Sequence, residues 1–190
     1  MSLSLDQGFY AAWLALSVFW LVAVGFTKPG KRAASSLSRL SQSAILILGF
    51  LLIFHPWFRQ GWLGVRLWPS TLPLVIAGLI VTWLGVLFAI WARITLGSNW
   101  SARPMVKVNH ELIIKGPYRL ARHPIYTGLV TAAAGSALAI ARAAVLPGLV
   151  LILLGIGMKI MQEERLMTET FPAAYPDYRR RVKALIPFLF

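Results

Sequence analysis

Residues 72–92, LPLVIAGLIVTWLGVLFAIWA, decide the fold. This stretch carries no charge, and 21 residues at about 1.5 Å rise each cover the roughly 30 Å hydrocarbon core of a bilayer. Pro69 and Pro73 mark the entry to this helix, and Trp91 and Arg93 mark its exit. Working outward, the same arithmetic makes residues 9–26 a first span, stopped by Lys28-Pro29-Gly30-Lys31-Arg32. Residues 41–58 supply a second, with His55-Pro56-Trp57 as an interfacial collar at its far end. Residues 125–141 and 143–160 read as a fourth and fifth span, a tight helical hairpin turned at Arg142 with Pro147-Gly148 at the start of its second arm. The expectation is an all-α integral membrane bundle of five transmembrane helices.

Composition agrees. At 58% hydrophobic residues and a mean hydropathy of +0.70, the 190-residue chain is too apolar for a water-soluble globule. Cysteine is absent, which excludes a disulfide framework, thiolate-ligated zinc, iron–sulfur clusters and a cysteine nucleophile together. The opening residues lack the basic region of a secretory signal, so the first apolar stretch counts as a retained span. No internal repeat is visible.

Nineteen Lys and Arg against six Asp and Glu give a net charge of +13. With the N-terminus outside and the C-terminus cytosolic, sixteen of those cations fall on the inner side, and only Arg59, Arg66 and Arg142 fall outside. Juxtamembrane cations are drawn to anionic headgroups by about 1 kcal/mol each, so the basic excess needs no nucleic acid to explain it. Residues 1–92 then hold three N-terminal helices, and residues 93–190 hold the polar stretches long enough for chemistry, within one structural domain.

The densest such cluster is Gly116-Pro117-Tyr118-Arg119-Leu120-Ala121-Arg122-His123-Pro124-Ile125-Tyr126-Thr127-Gly128. Gly-Pro sets a turn, Pro124 suits the first turn of a helix, and His123 becomes its N-cap. A helix N-terminus beside Arg119, Arg122 and His123 is suited to a carboxylate or phosphate, and equally to a basic collar against lipid headgroups. At the inner end of the fifth span, Glu163, Glu164 and Glu169 make up half of the acidic residues. A hairpin brings these carboxylates near Arg122 and His123. On a helix Glu163 and Glu164 point about 100° apart, so one binds while the other braces. Local ion pairs such as Lys159 with Glu163 are the plainer alternative. The tail Tyr178-Arg179-Arg180-Arg181-Val182-Lys183, with the apolar residues 184–190 behind it, reads as an interfacial anchor folding back under the bundle.

The run from Asn109 through Lys115-Gly116-Pro117-Tyr118, then Arg122-His123-Pro124-Ile125-Tyr126-Thr127-Gly128, Glu163-Glu164, Phe171, Tyr175, Tyr178 and Ile186-Pro187, resembles the isoprenylcysteine carboxyl methyltransferases. They belong to a wider group of membrane methyltransferases that includes phosphatidylethanolamine N-methyltransferases. The likeness covers residues 97–190, and the short chain resembles the compact prokaryotic members. It implies an enzyme using S-adenosylmethionine and releasing S-adenosylhomocysteine, with the cofactor held between the loop before the fourth span and the helix after the fifth. By position, His110, Leu112, Tyr118, His123, Pro124, Tyr126 and Gly128 would line the cofactor pocket. Glu163 or Glu164 would face the cofactor's ammonium or the reacting end, and Asn99 and Trp100 would lie on the substrate side. The only Gly-x-Gly, Gly155-Ile156-Gly157, sits inside the fifth span and suits close helix packing rather than a dinucleotide turn.

Methyl transfer from a sulfonium needs alignment and a dry site but neither a metal nor a covalent nucleophile. A carboxylate acceptor is already ionised and wants an orienting cation, for which Arg122 comes first and Arg119 second. An amine or thiol acceptor, as in a phospholipid N-methyltransferase or small-thiol S-methyltransferase, would instead need a Glu as general base. A prenylated or isoprenoid acceptor would enter sideways from the bilayer. Two readings of other classes stand beside this one: an NADPH-dependent sterol-type reductase and a non-enzymatic membrane scaffold. The short form suggests a prokaryotic inner membrane, with the endoplasmic reticulum as the alternative.

Overall fold

The computed structural model describes residues 3–26, 36–100 and 112–186; the side chains of residues 3–4, 36–39 and Asn99 lie outside that description. Six α-helices follow one another: α1 (Leu3–Val24), α2 (Ser36–Phe54), α3 (Leu72–Leu96), α4 (Pro124–Ile140), α5 (Val145–Thr170) and α6 (Ala174–Arg181). Among the described residues there is no strand beyond a single bridged pair, Arg66 and Arg142. Three helices are long and apolar enough to cross a membrane, within Leu5–Val24, Leu72–Leu96 and Val145–Thr170. Leu40–Phe54 and Pro124–Ile140 are shorter apolar helices. The chain is a multi-pass integral membrane protein, and its outward face is apolar, as at Leu21, Leu84, Leu87 and Leu154.

The helix ends follow from local chemistry. Pro73 lies in the first turn of α3, where its missing N–H costs nothing, and Gly97 ends the helix at φ +57, a conformation that disfavours any side chain. α2 ends at Phe54 rather than Phe58, because Pro56 cannot extend it. His55 caps a separate 3-10 turn (Pro56–Arg59), accepting from the Trp57 N–H at 3.3 Å. Past the expected end at residue 160, α5 continues for nearly three further turns and carries Glu163 and Glu164 beyond the apolar core. Ala141, in the left-handed region at φ +56, turns α4 into α5.

Small residues set the packing. α3 and α4 run antiparallel with their backbones in contact: a methyl at Gly78 would meet the Gly135 carbonyl at 2.6 Å, and one at Gly128 would meet the Gly85 carbonyl at 2.5 Å. The small faces at Gly78 and Gly135 thus pair within one chain. α2 and α5 close likewise, with Gly148 against Ile53 and Gly155 against Leu46, so Gly155 is a packing glycine. The expected hairpin exists, but α4 packs chiefly on α3 and α5 chiefly on α2. α1 covers the seam through Trp13, whose ring meets Phe50 and Phe54 edge-on at 5.5 and 5.4 Å. Its indole N–H donates to Ser136 Oγ at 3.1 Å, beside buried Thr82, so these three polar side chains are paired within the apolar interior.

Candidate functional site

At the end where α4 begins, four charged side chains converge. Arg122 donates from Nε to Glu164 Oε1 at 2.9 Å and from Nη2 to the same oxygen at 2.5 Å. Its Nη1 donates to the carbonyls of Arg179 (3.1 Å) and Val182. Both side chains are nearly buried, at 8% and 11% exposure. His123 sits between the two glutamates, with Nδ1 3.4 Å from Glu163 and Nε2 3.4 Å from Glu164. The Tyr126 hydroxyl donates to Glu163, and its ring stacks on His123 at 5.9 Å. Glu163 is the more open carboxylate at 26% exposure, and the exposed Arg179 adds a longer contact to Glu164.

An imidazole can donate from both nitrogens only when protonated. Burial works against that charge on His123, but its hydrogen bonds to Glu163 and Glu164 and their negative charges outweigh it and hold its pKa above the ordinary imidazole value. The four groups then sum to zero charge. A pKa raised by folding gives stability that is fully present below the unfolded value near 6.5 and is lost as pH rises through the folded pKa. We therefore expect the thermal midpoint of the detergent-solubilised protein to fall as pH climbs above that window. In His123→Gln the slope should vanish; an unchanged slope would place the titrating group elsewhere.

Tail and turn brace this cluster. The backbone N–H groups of Arg122 and His123 donate to the carbonyls of Lys183 (2.8 Å) and Ala184 (3.0 Å), and the Thr127 hydroxyl donates to the carbonyl of Leu185 at 2.7 Å. The tail does fold back, and its carbonyls take the N–H groups of the two residues that lead into α4. Tyr178 donates to the Tyr118 carbonyl at 2.6 Å. Burial above all, aided by Glu163, raises the Tyr118 phenol well above its usual range, so it stays a donor.

The structure brings together His123, Tyr126, Glu163, Glu164 and Arg122, with Tyr118 and Pro124 buried beside them. Gly128 instead faces α3, where the Gly85 carbonyl and Ala89 leave no room for a side chain. Arg119 is exposed. Trp100 packs against the cluster of Ala92, Tyr118 and Ile125, with its ring under Arg93 at 4.6 Å and edge-on to Trp20 at 6.0 Å. Leu112 is half-buried; His110 and the Asn99 side chain lie outside the described residues. Sequence reasoning read Lys159 only as an ion-pair partner of Glu163 and gave it no place in the site. Its ammonium lies 5.8 Å from the Tyr126 ring centroid, one turn before Glu163, and among the described residues no carboxylate stands within ion-pair distance of it. A cation lying inside an apolar span was the available signal.

Comparison with known proteins points one way. The family model for the isoprenylcysteine carboxyl methyltransferase (ICMT) family matches residues 76–169. A probable protein-S-isoprenylcysteine O-methyltransferase of Oryza sativa subsp. indica is 26% identical, over 94% of this chain and 96% of its own length. Protein-S-isoprenylcysteine O-methyltransferase B of Arabidopsis thaliana is 24% identical, over 90% and 86%. Among solved structures, the eukaryotic intramembrane Ras methyltransferase ICMT superposes with a TM-score of 0.57 at 23% identity over 80% of this chain, which spans only 52% of that protein. That likeness supports the fold.

Proposed function

This chain belongs to the isoprenylcysteine carboxyl methyltransferase family, and on that premise we propose that it methylates the carboxylate of a lipophilic, prenylcysteine-like acceptor at the membrane. The observation that carries the acceptor class is the pairing of charges. Glu164 already accepts from Arg122 and His123, and Glu163 from His123 and Tyr126, so either would have to give up these donors to serve as the base that an amine or thiol would require. A carboxylate needs no base. It needs a cation, and Lys159, partially buried beside the Tyr126 ring, has no carboxylate partner among the described residues.

S-adenosylmethionine, when bound, supplies a methyl group on a sulfonium. The donor set here fits that group: Glu163 offers a half-open carboxylate for an ammonium or sulfonium, while Tyr126, Tyr118 and His123 offer rings and hydrogen-bonding edges. Glu163 thus takes the cofactor-facing role. Glu164 and Arg122 brace His123, and Arg122, whose donors go to Glu164 and two tail carbonyls, is a positioning residue. Leu112, Pro124 and, in the segment outside the description, His110 complete the cofactor side in this reading. In this reading Lys159 takes the carboxylate-orienting role expected of Arg122 and Arg119, and Asn99 and Trp100 keep the substrate side. The helix directions support five passes, α2 and α4 running opposite to α1, α3 and α5, with the site end on the cation-rich cytosolic side.

The test is transfer of a labelled methyl from S-adenosylmethionine to farnesylcysteine by the purified protein. A base-labile methyl ester is expected. A base-stable product would move the acceptor to an amine or thiol, and binding of NADPH but not S-adenosylhomocysteine would overturn the methyltransferase reading itself.

A further inference from the structure

The opposite end of the bundle carries a second cationic feature that methyl transfer does not use. Between α2 and α3, residues 55–71 form a plate rather than a loose loop. The Leu67 N–H donates to the Ala141 carbonyl at 2.8 Å, and the N–H groups of Ala143 and Ala144 donate to the carbonyls of Val65 (2.8 Å) and Leu63 (3.0 Å). The Trp68 indole N–H donates to the Leu138 carbonyl at 2.9 Å. This plate is fastened to the turn between α4 and α5, and the fastening sets Arg66 directly opposite Arg142 in an antiparallel bridge.

Like charges opposite one another repel. Residues 55–71 contain no Asp or Glu, and among the described residues no ion pair reaches Arg66 or Arg142. Arg142 spends Nη1 on the Gly64 carbonyl at 2.7 Å, which fixes its guanidinium beside the plate, while Arg66 is exposed. On the same plate Trp57 and Trp62 are 73% and 74% exposed, amphipathic rings of the kind that settle at headgroup depth.

We infer that the Arg66–Arg142 pair binds the phosphodiester of an anionic phospholipid. A phosphate between two guanidinium groups relieves their repulsion through charge-assisted hydrogen bonds, and the neighbouring tryptophans place that phosphate at a lipid surface rather than in bulk water.

The experiment uses full-length protein in nanodiscs of phosphatidylcholine alone or with phosphatidylglycerol, read by thermal midpoint and by native mass spectrometry of retained lipid. Phosphatidylglycerol should raise the wild-type midpoint and stay bound. Arg66→Gln should retain roughly 5-fold less of it, the equivalent of one cation at an anionic surface. Its midpoint in phosphatidylcholine alone should be no lower than wild type and its methyl transfer in detergent should match wild type, which separates lost binding from lost folding. Equal retention by Arg66→Gln, or an equal gain from phosphatidylcholine, would overturn the inference. So would full reproduction of the shift by inorganic phosphate, which would mark a site for free anions instead.

Discussion

Glu164→Gln is expected to destabilise the protein by about 3 kcal/mol or more and to abolish most turnover. The carboxylate is nearly buried and serves Arg122, His123 and Arg179 at once. Without its charge, the Arg122 guanidinium stays buried with only carbonyl partners, and removing one member of a buried pair costs about 3–5 kcal/mol because the other is left uncompensated. The loss should spread, since Arg122 also holds the tail carbonyls and its own N–H is tied to Lys183. Removing both charges in Glu164→Gln with Arg122→Met should recover part of the stability, a positive coupling in a double-mutant cycle read by thermal unfolding in detergent. Glu163→Gln is the contrast: its carboxylate is more open, so stability should move little while cofactor binding falls. An unchanged midpoint in Glu164→Gln would show that the cluster is not a brace.

Where the sequence was legible, a local rule had no competitor. An uncharged run such as residues 72–92 has one solution in a bilayer, and α3 follows it with one extra turn. Gly116 to Gly128 announced a turn and a proline-started helix, and both are present. α2 was misjudged because hydropathy continues through Trp57 and Phe58 while the backbone stops at Pro56, so composition and chain geometry disagree there. Arg122 was read as open for an acceptor although Glu164 and the returning tail were both expected nearby, because which side chain or carbonyl takes each of its donors is decided by packing that no local pattern specifies. His123 was read as an N-cap, and it holds that position without a side-chain capping bond, because two carboxylates from α5 compete for its ring. Side-chain allegiances of this kind are settled by packing between helices, which spacing along one helix does not carry.

Lys159 shows the same competition, and it carries the second large expectation. Read along α5, Lys159 and Glu163 are one turn apart and should pair, yet the glutamate turns to His123 and Tyr126 while the ammonium lies near the Tyr126 ring. A lysine left so within an apolar helix is costly unless something arrives to share its charge, and an acceptor carboxylate entering from the bilayer is such a partner. Hydrogen bonds to charged groups contribute about 1.5–3 kcal/mol, so Lys159→Met should raise KM for farnesylcysteine roughly 10- to 100-fold. Affinity for S-adenosylhomocysteine should stay near wild type, because Glu163, Tyr126 and His123 keep their mutual bonds. Lys159→Arg should restore most of the acceptor affinity, which separates a need for charge from a need for packing. The decisive readout is the split between the two ligands. If Lys159→Met weakens S-adenosylhomocysteine and leaves the acceptor KM alone, the cation belongs to the cofactor, and the carboxylate of the acceptor must be oriented by another group.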